Sequence, residues 1–362
     1  MGEKFRVLTL DGGGMRGLYT AHLLRALSRL FDCNFATMDP DIGASFNLIC
    51  GTSTGAILAC GLAAGVPIST ICDFYVKKGP QIFTKPKPIN NGMLLSLWLW
   101  RHLFRPAASH QVLQTSLEQV FGNQTLREVF EKRNIALCIP TIDAADYSSR
   151  VFKTPHSPDK QRDRNYTLSS VCMASTAAPV FFPLSRQNNP DNEQEILHFV
   201  DGGLWANNPI MIGLTEALHL APKTQEIEIV SVGTCDKPSG NPYTRQTPLW
   251  GLWQWQGGVK TLEMCLKAQS YGYANMAHFL AKSFSEYGRS VRVVRLDESM
   301  KSEEQYHSIG LDRADENAIR TLITLAEKDA ARIHSTTLSG KTSPDYSIID
   351  NIFRNLRVLA RS

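Results

Sequence analysis

A serine between two glycines is the first feature of the sequence that could do chemistry. Residues 51–55, Gly-Thr-Ser-Thr-Gly, match the pattern G-x-S-x-G and follow the apolar run Phe46–Cys50. Between a strand and a helix this pattern forms a nucleophile elbow, in which Gly51 and Gly55 permit a sharp turn. The positive end of the helix dipole then favours an alkoxide. The pattern predicts Ser53 as a nucleophile; the alternative is an ordinary turn with a capping hydroxyl.

A glycine-rich segment near the N-terminus could stabilise negative charge. Residues 11–17, Asp-Gly-Gly-Gly-Met-Arg-Gly, lie between a strand-like run and a helical pattern. The backbone N–H groups of Gly12, Gly13 and Gly14, beside a helix N-terminus, could face the oxyanion of an acyl-transfer intermediate. Arg16 would add a fixed positive charge. We therefore predict an oxyanion hole in this loop.

The same loop has a rival interpretation as a nucleotide-binding module. Gly12, Gly14 and Gly17 formally satisfy G-x-G-x-x-G, which is typical of dinucleotide-binding folds. That fold needs an acidic residue at the end of a second strand about 20 residues further on. Asp32 and Asp39 lie near that position, but no convincing strand precedes them. Ser53 favours the oxyanion hole.

An aspartate follows another predicted strand and could serve as a general base. Asp201 begins an Asp-Gly-Gly tripeptide directly after Ile196–Val200, and residues 207–209, Asn-Asn-Pro, indicate a helix start. Open α/β sheets place functional groups at the carboxyl ends of their strands. An isolated Asp-Gly-Gly more often marks a hairpin or loop. The helix start favours a strand–loop–helix unit that presents Asp201 beside Ser53.

Four blocks of the sequence resemble patatin, a plant lipid acyl hydrolase, and its bacterial phospholipase relatives. They are the segments at residues 11–17 and 51–55, Ala-Ser-Thr-Ala-Ala-Pro-Val-Phe-Phe-Pro from Ala174, and Asp-Gly-Gly-Leu-Trp-Ala-Asn-Asn-Pro from Asp201. The resemblance covers roughly residues 5 to 235 and departs at no catalytic position.

This resemblance implies a phospholipase A type of reaction on membrane glycerophospholipids, run by a Ser53–Asp201 dyad without a catalytic histidine. It implies no metal and no cofactor. A non-specific lipid acyl hydrolase or lysophospholipase is the close alternative. The helical tail resembles that of patatin-like effectors of bacterial anti-phage systems, which cyclic dinucleotides switch on. The resemblance thus extends to a cyclic-dinucleotide activator and a role in antiviral defence, without indicating an oligomeric state.

Hydrophobic patterns indicate an α/β fold with a mostly parallel sheet flanked by helices. Strand-like runs alternate with helical patterns along the chain, as in Phe5–Leu10 and Leu18–Phe31, or Ile227–Val232 and Val259–Phe284. The resemblance narrows this class to a patatin-like three-layer α/β/α fold with a helical C-terminal tail. We expect a catalytic domain over residues 1–297 and a helical extension over residues 298–362 packed on it.

The composition of the chain limits the classes of function that we expect. The chain has 362 residues and a net charge of +4, too small to imply binding of a nucleic-acid polymer. Its eight cysteines form no C-x-x-C pair and no Cys/His cluster at metal-ligand spacing, so we expect buried thiols in a reducing compartment. The N-terminus lacks the apolar region of a signal peptide, and no apolar run approaches about 18 residues. These features predict a cytoplasmic protein.

Two excursions carry most of the tryptophans. The first, Lys77 to Pro106, contains Trp98 and Trp100 within the apolar run Met93–Trp100, and the second, Pro238 to Gly258, contains Trp250, Trp253 and Trp255. Tryptophan beside basic residues suits a lipid headgroup region, so we expect peripheral contact with the inner leaflet. A core, a subunit interface or a lid are the alternatives. The basic residues of the first excursion could meet phosphates or form a solvated face; they are Lys77, Lys78, Lys85, Lys87, Arg101 and Arg105.

Overall fold

The computed structural model describes residues 4–88, 97–98, 100–101, 106–235, 251, 255, 258–296, 298–299, 301–338 and 346–360. An eight-stranded sheet forms the centre of the described chain. Its strands are β1 (Phe5–Leu10), β2 (Leu48–Gly51), β3 (Ala136–Asp143), β4 (Ser149–Lys153), β5 (Ser185–Asn189), β6 (Asn192–Asp201), β7 (Ile227–Val232) and β8 (Val291–Arg295).

The sheet has a parallel part and an antiparallel edge. Its order is β5-β6-β3-β2-β1-β7-β8, with β4 also paired to β3. The pairs among β3, β2, β1, β7 and β8 are parallel, whereas β4 and β6 run antiparallel to β3, and β5 antiparallel to β6. The mostly parallel sheet that the sequence predicts is confirmed.

Helices cover both faces of the sheet. They are α1 (Gly17–Phe31), α2 (Thr54–Ala64), α3 (Ile68–Ile82), α4 (His110–Phe121), α5 (Leu126–Arg133), α6 (Leu168–Ser175), α7 (Gly203–Ala206), α8 (Ile210–Leu220), α9 (Val259–Glu286), α10 (Glu303–Ser308), α11 (Glu316–Leu338) and α12 (Tyr346–Arg354). None of the helices within the described ranges is long and apolar enough to cross a membrane.

Alternation along the strands produces two separate cores. Leu8 and Ile49 pack on the face covered by α1, α2 and α6, whereas Val7 and Cys50 pack on the face covered by α8 and α9. Successive side chains of a strand point to opposite faces, so each central strand contributes to both cores. The sheet is therefore buried on both sides, as three layers require.

The C-terminal helices pack against the first helix. Leu322, Ala326 and Ile333 of α11 belong to the same core as α1. The Tyr19 hydroxyl of α1 donates to the buried Asp329 carboxylate of α11 at 2.7 Å. These contacts join the tail to the sheet domain, while the division at residue 297 stays a prediction.

Some expectations from the sequence need correction. Lys77 to Ile82 lie in α3, not in an excursion from the fold, because α3 continues through Pro80. Cys33 and Cys265 are exposed, so the expectation of buried thiols holds for only six of the eight cysteines. Met93 to Ser96, Trp250 and Trp253 lie outside the described residues.

Candidate active site

Ser53 occupies a strained turn between β2 and α2. Its φ of 54° and ψ of −122° lie in a region that residues with a side chain rarely adopt. Its backbone N–H donates to the Ser175 hydroxyl at 2.9 Å, and Ser175 Oγ donates to the carbonyl of Pro140 at 2.7 Å. This anchored turn holds the Ser53 side chain at the carboxyl end of β2, as the elbow motif predicts.

The two motif glycines serve close packing. A Cβ on Gly51 would lie 2.2 Å from the carbonyl oxygen of Gly55, and one on Gly55 would lie 2.3 Å from that of Leu10. Neither position has a positive φ; the strained φ belongs to Ser53 itself. The glycines are thus needed because backbone segments meet there, and not for the conformational freedom that the motif suggests.

Asp201 accepts a hydrogen bond from the predicted nucleophile. The Ser53 hydroxyl donates to Asp201 Oδ2 at 2.7 Å, and the Gly203 amide donates to Asp201 Oδ1 at 2.6 Å. Burial raises the pKa of Asp201 to about 6, although the bonds from Gly203 and Ser53 lower it. A carboxylate in such a position can accept a proton from a serine hydroxyl.

The position of Asp201 has a different origin from the one that the sequence suggests. Strand β6 runs antiparallel to β3, with Asp201 opposite Thr141 and Phe199 opposite Asp143. The rule for carboxyl ends of parallel strands therefore does not explain the position of this side chain. The antiparallel register explains it: β6 begins beyond the C-terminal end of β3, runs back along β3, and ends opposite Thr141. The helix predicted to start at residues 207–209 is α8, which begins at Ile210, and the short helix α7 occupies most of the expected loop.

The glycine-rich loop lies against Ser53, but two of its amides are already bonded. A Cβ on Gly12 would lie 3.3 Å from the Cβ of Ser53. The Gly12 N–H donates to the carbonyl of Asn207 at 2.9 Å, and the Gly13 N–H donates to the Thr54 hydroxyl at 3.2 Å. In this conformation a substrate carbonyl could use these two amides only after the bonds shift.

Other contacts fix the same loop on both sides. Asp11, its first residue, is buried and pairs with Arg295 at 2.6 Å. Gly14 has a φ of 57° and leaves no room for a Cβ, which would lie 2.2 Å from the carbonyl oxygen of Leu311. That carbonyl also accepts the Met15 N–H at 2.7 Å. The loop is therefore held by β8 and by a segment of the C-terminal tail.

A cavity of about 380 Å³ brings the predicted residues together. Ser53, Asp201 and Arg16 line it together with the three loop glycines Gly12, Gly13 and Gly14. Its apolar wall includes Ile57, Phe74, Ile82, Phe83, Leu113 and Phe182. No histidine belongs to the part of the lining that the described chain supplies. A volume of this size suits a small ligand or an acyl chain.

Most of the basic residues that line this cavity besides Arg16 were not predicted from the sequence. Lys260 and Lys267 of α9 and Arg313 of the tail line it, as does Lys87, which pairs with Glu263 at 2.8 Å. Of these four residues, Lys87 alone was among the basic residues that the sequence singled out. The others come from distant segments without a motif, so no sequence signal points to them. Ser175 lies within a block that resembles patatin, but its hydrogen bonds become visible only in the fold.

Comparisons with known proteins show the family to which the chain belongs. The family model "Patatin-like phospholipase" matches residues 8–214, more than half of the chain. A cGAMP-activated phospholipase of Escherichia coli is 28% identical over 333 residues, which cover 88% of this chain and 86% of that protein. Patatin-like protein 1 of Oryza sativa subsp. indica is 26% identical over 359 residues, covering 91% of this chain and 82% of that protein.

A solved structure was also found. The crystal structure of VipD from Legionella pneumophila covers 97% of this chain and 79% of its own, with 14% sequence identity and a TM-score of 0.35.

Proposed function

The chain belongs to the patatin-like phospholipase family and is a lipid acyl hydrolase, and from this premise we propose that Ser53 and Asp201 form its catalytic dyad. The observation that carries the proposal is the 2.7 Å hydrogen bond from the Ser53 hydroxyl to Asp201. Both side chains line a cavity with an extended apolar wall.

In the proposed mechanism Asp201 accepts the proton of Ser53 as Oγ attacks the ester carbonyl carbon. Collapse of the tetrahedral intermediate breaks the ester bond, and the departing alkoxide takes the proton from Asp201. Asp201 then takes a proton from water, whose oxygen attacks the acyl-enzyme. The products are a free fatty acid and a lysophospholipid, and Ser53 regains its proton.

Stabilisation of the oxyanion is assigned to the loop of Gly12, Gly13 and Gly14, with Arg16 nearby. One such donor contributes about 10²–10³ in rate. Since the Gly13 amide is bonded to Thr54, we propose that this amide turns to the substrate in an activated state. The closeness of Gly12 to Ser53 favours the oxyanion hole over a nucleotide-binding module.

We propose membrane glycerophospholipids as substrates and a cyclic dinucleotide as activator. The apolar wall suits an acyl chain, and the basic residues of the lining suit a phosphate-bearing lipid head. Activation is supported by the relatives named cGAMP-activated phospholipase and by the engaged Gly13 amide. Such an activator must bind the active state more tightly than the resting one. We propose that the chain is an antiviral effector that acts in the cytoplasm at the inner leaflet.

Lipid-product analysis by mass spectrometry tests the proposal. Wild-type protein with phospholipid vesicles and a panel of cyclic dinucleotides should release free fatty acid and lysophospholipid, faster with the right nucleotide. Ser53→Ala should release neither. Turnover by Ser53→Ala would overturn the dyad. Equal rates with and without every nucleotide would contradict the proposed activation. Activity confined to soluble esters would indicate a non-specific acyl hydrolase.

A further inference from the structure

A group of side chains that could bind a metal ion lies away from the active site, on the face of the sheet that α8 and α9 cover. The Sγ of Cys138, a ring nitrogen of His156 and a carboxylate oxygen of Glu216 all lie within 4.8 Å of one another. Cys138 belongs to β3, His156 follows β4, and Glu216 belongs to α8. Thiolate, imidazole and carboxylate are the three protein ligands that Zn²⁺ most often takes.

The cluster is shielded from water. Cys138 is fully buried, and the side chains of His156 and Glu216 are only 2% and 7% exposed. The Glu216 carboxylate is held between two cationic or hydrogen-bonding groups, Lys153 on Oε2 and His156 on Oε1. A carboxylate paired in this way is already in the form that binds a cation.

The groups around these side chains orient them. His156 Nε2 lies 3.0 Å from Glu216 Oε1, while His156 Nδ1 lies 2.7 Å from the Thr154 hydroxyl. A histidine ligand normally directs its second ring nitrogen to such a partner, which sets the tautomer. Lys153 bonds the other Glu216 oxygen, Oε2, so Oε1 can face a cation while the lysine stays in place.

A second thiol lies on the neighbouring strand. Cys50 of β2 stands directly opposite Cys138 in the parallel register. Both thiols are fully buried and belong to the same core, on the face that α8 and α9 cover. With both thiols ionised, the charges of two thiolates, Glu216, Lys153 and a divalent cation sum to zero. A neutral assembly is what a buried site requires.

We propose that Cys138, His156 and Glu216, completed by Cys50, bind one thiophilic divalent cation such as Zn²⁺. Binding forms two metal–sulfur bonds and releases the two thiol protons to solvent. The proton on His156 moves to Nδ1, where it is donated to Thr154. The cation would tie β2, β3 and α8 together three residues before Ser53, independently of the reaction at the elbow.

A cobalt titration tests this site directly. Co²⁺ added to chelator-treated protein should bind at one equivalent and produce thiolate-to-cobalt charge-transfer absorption, which Zn²⁺ then abolishes by displacement. Protein purified without chelators should contain one equivalent of metal. Cys138→Ser and His156→Asn should each lose the absorption, and Cys50→Ser should weaken it. Affinity should rise with pH, because two protons are released.

A matched control separates this site from thiol binding in general. Cys60 and Cys172 form another buried, hydrogen-bonded thiol pair on the opposite face of the sheet. Cys172→Ser should leave the cobalt spectrum and the metal content unchanged. If wild-type protein shows no saturable charge-transfer band, the cluster is only a buried Lys153–Glu216–His156 network and the proposal is wrong. The wild-type result decides this even if a variant fails to fold.

Discussion

At Ser53 the chain adopts a backbone conformation that costs about 1–3 kcal/mol for a residue with a side chain. Three contacts maintain it: the Ser53 N–H bond to Ser175, the Ser53 hydroxyl bond to Asp201, and the tight packing of Gly55 on Leu10. Strain at a site that surrounding contacts hold in place keeps the hydroxyl oriented before substrate arrives, which reduces the entropic cost of the reaction.

The pKa of Asp201 predicts how activity depends on pH. Asp201 must be ionised to accept the Ser53 proton, and its pKa is raised to about 6. The kcat/KM for a short-chain soluble ester should therefore rise with pH, reach half its maximum near the pKa of Asp201, and level off above it. A profile measured from acid to neutral pH checks this. A half-maximum near the ordinary aspartate pKa of about 4 would contradict it.

The same shift predicts that removing the charge stabilises the fold. The unfolded pKa of Asp201 is about 3.9, and the folded value is about 6. The folded state therefore binds the proton more tightly, and stability falls as pH rises through this interval. Asp201→Asn should raise the free energy of unfolding by up to about 3 kcal/mol at pH 8 and by almost nothing at pH 4. Urea unfolding at both pH values measures this; a loss of stability at pH 8 would refute the assigned shift.

At the scale of the elements, the sequence predicted the central strands well and the antiparallel edge poorly. Phe5–Leu10 and Ile227–Val232 were predicted with the bounds that the structure has, because apolar and β-branched residues dominate both segments. Strand β5 consists of polar residues, Ser185–Asn189, and lies at the edge of the sheet, so hydrophobic pattern gives no signal for it.

In the candidate active site, too, some features could be predicted from the sequence and others could not. The motifs singled out Ser53, Asp201 and the glycine loop, and the structure brings these residues together at one cavity. The sequence could not predict that the Gly13 amide is bonded to Thr54, or that Leu311 packs on Gly14, because these contacts depend on three-dimensional approach.

A pair of glycine substitutions tests the packing at the elbow. Gly55→Ala places a Cβ 2.3 Å from the backbone carbonyl of Leu10 and should destabilise the protein by more than about 2 kcal/mol. Gly272 lies in α9 with nothing within 4 Å of its Cβ position. Gly272→Ala should stabilise by about 0.5–1 kcal/mol through helix propensity. Thermal unfolding compares them, and equal effects would contradict the packing argument.

At the scale of the whole molecule, the cavity draws on both ends of the chain. Gly12 and Arg16 come from the beginning, and Leu311, Asp312 and Arg313 come from the tail. The tail therefore completes the proposed active site in addition to packing on α1. No local pattern in the sequence could reveal this, because it follows from the docking of segments about 300 residues apart.

The two tryptophans that the sequence grouped together have different environments. Trp98 is 7% exposed and donates from Nε1 to the carbonyl of Lys85, whereas Trp100 is 75% exposed. Trp100→Ala should lower hydrolysis of anionic vesicles several-fold while sparing a short-chain soluble ester, because an exposed indole partitions to the headgroup region. Trp98→Ala should instead lower the melting temperature. Equal losses on both substrates for Trp100→Ala would remove the membrane-contact proposal.

Active-site labelling tests the central claim, that Ser53 is the nucleophile activated by Asp201, most directly. A fluorophosphonate reacts with an activated serine, and peptide mass spectrometry identifies the residue that carries it. We predict one phosphonate per chain, attached to the peptide that contains Ser53, no labelling of Ser53→Ala, and much slower labelling of Asp201→Asn at neutral pH. Modification of another residue with Ser53 intact, or labelling of Asp201→Asn at the wild-type rate, would contradict the account.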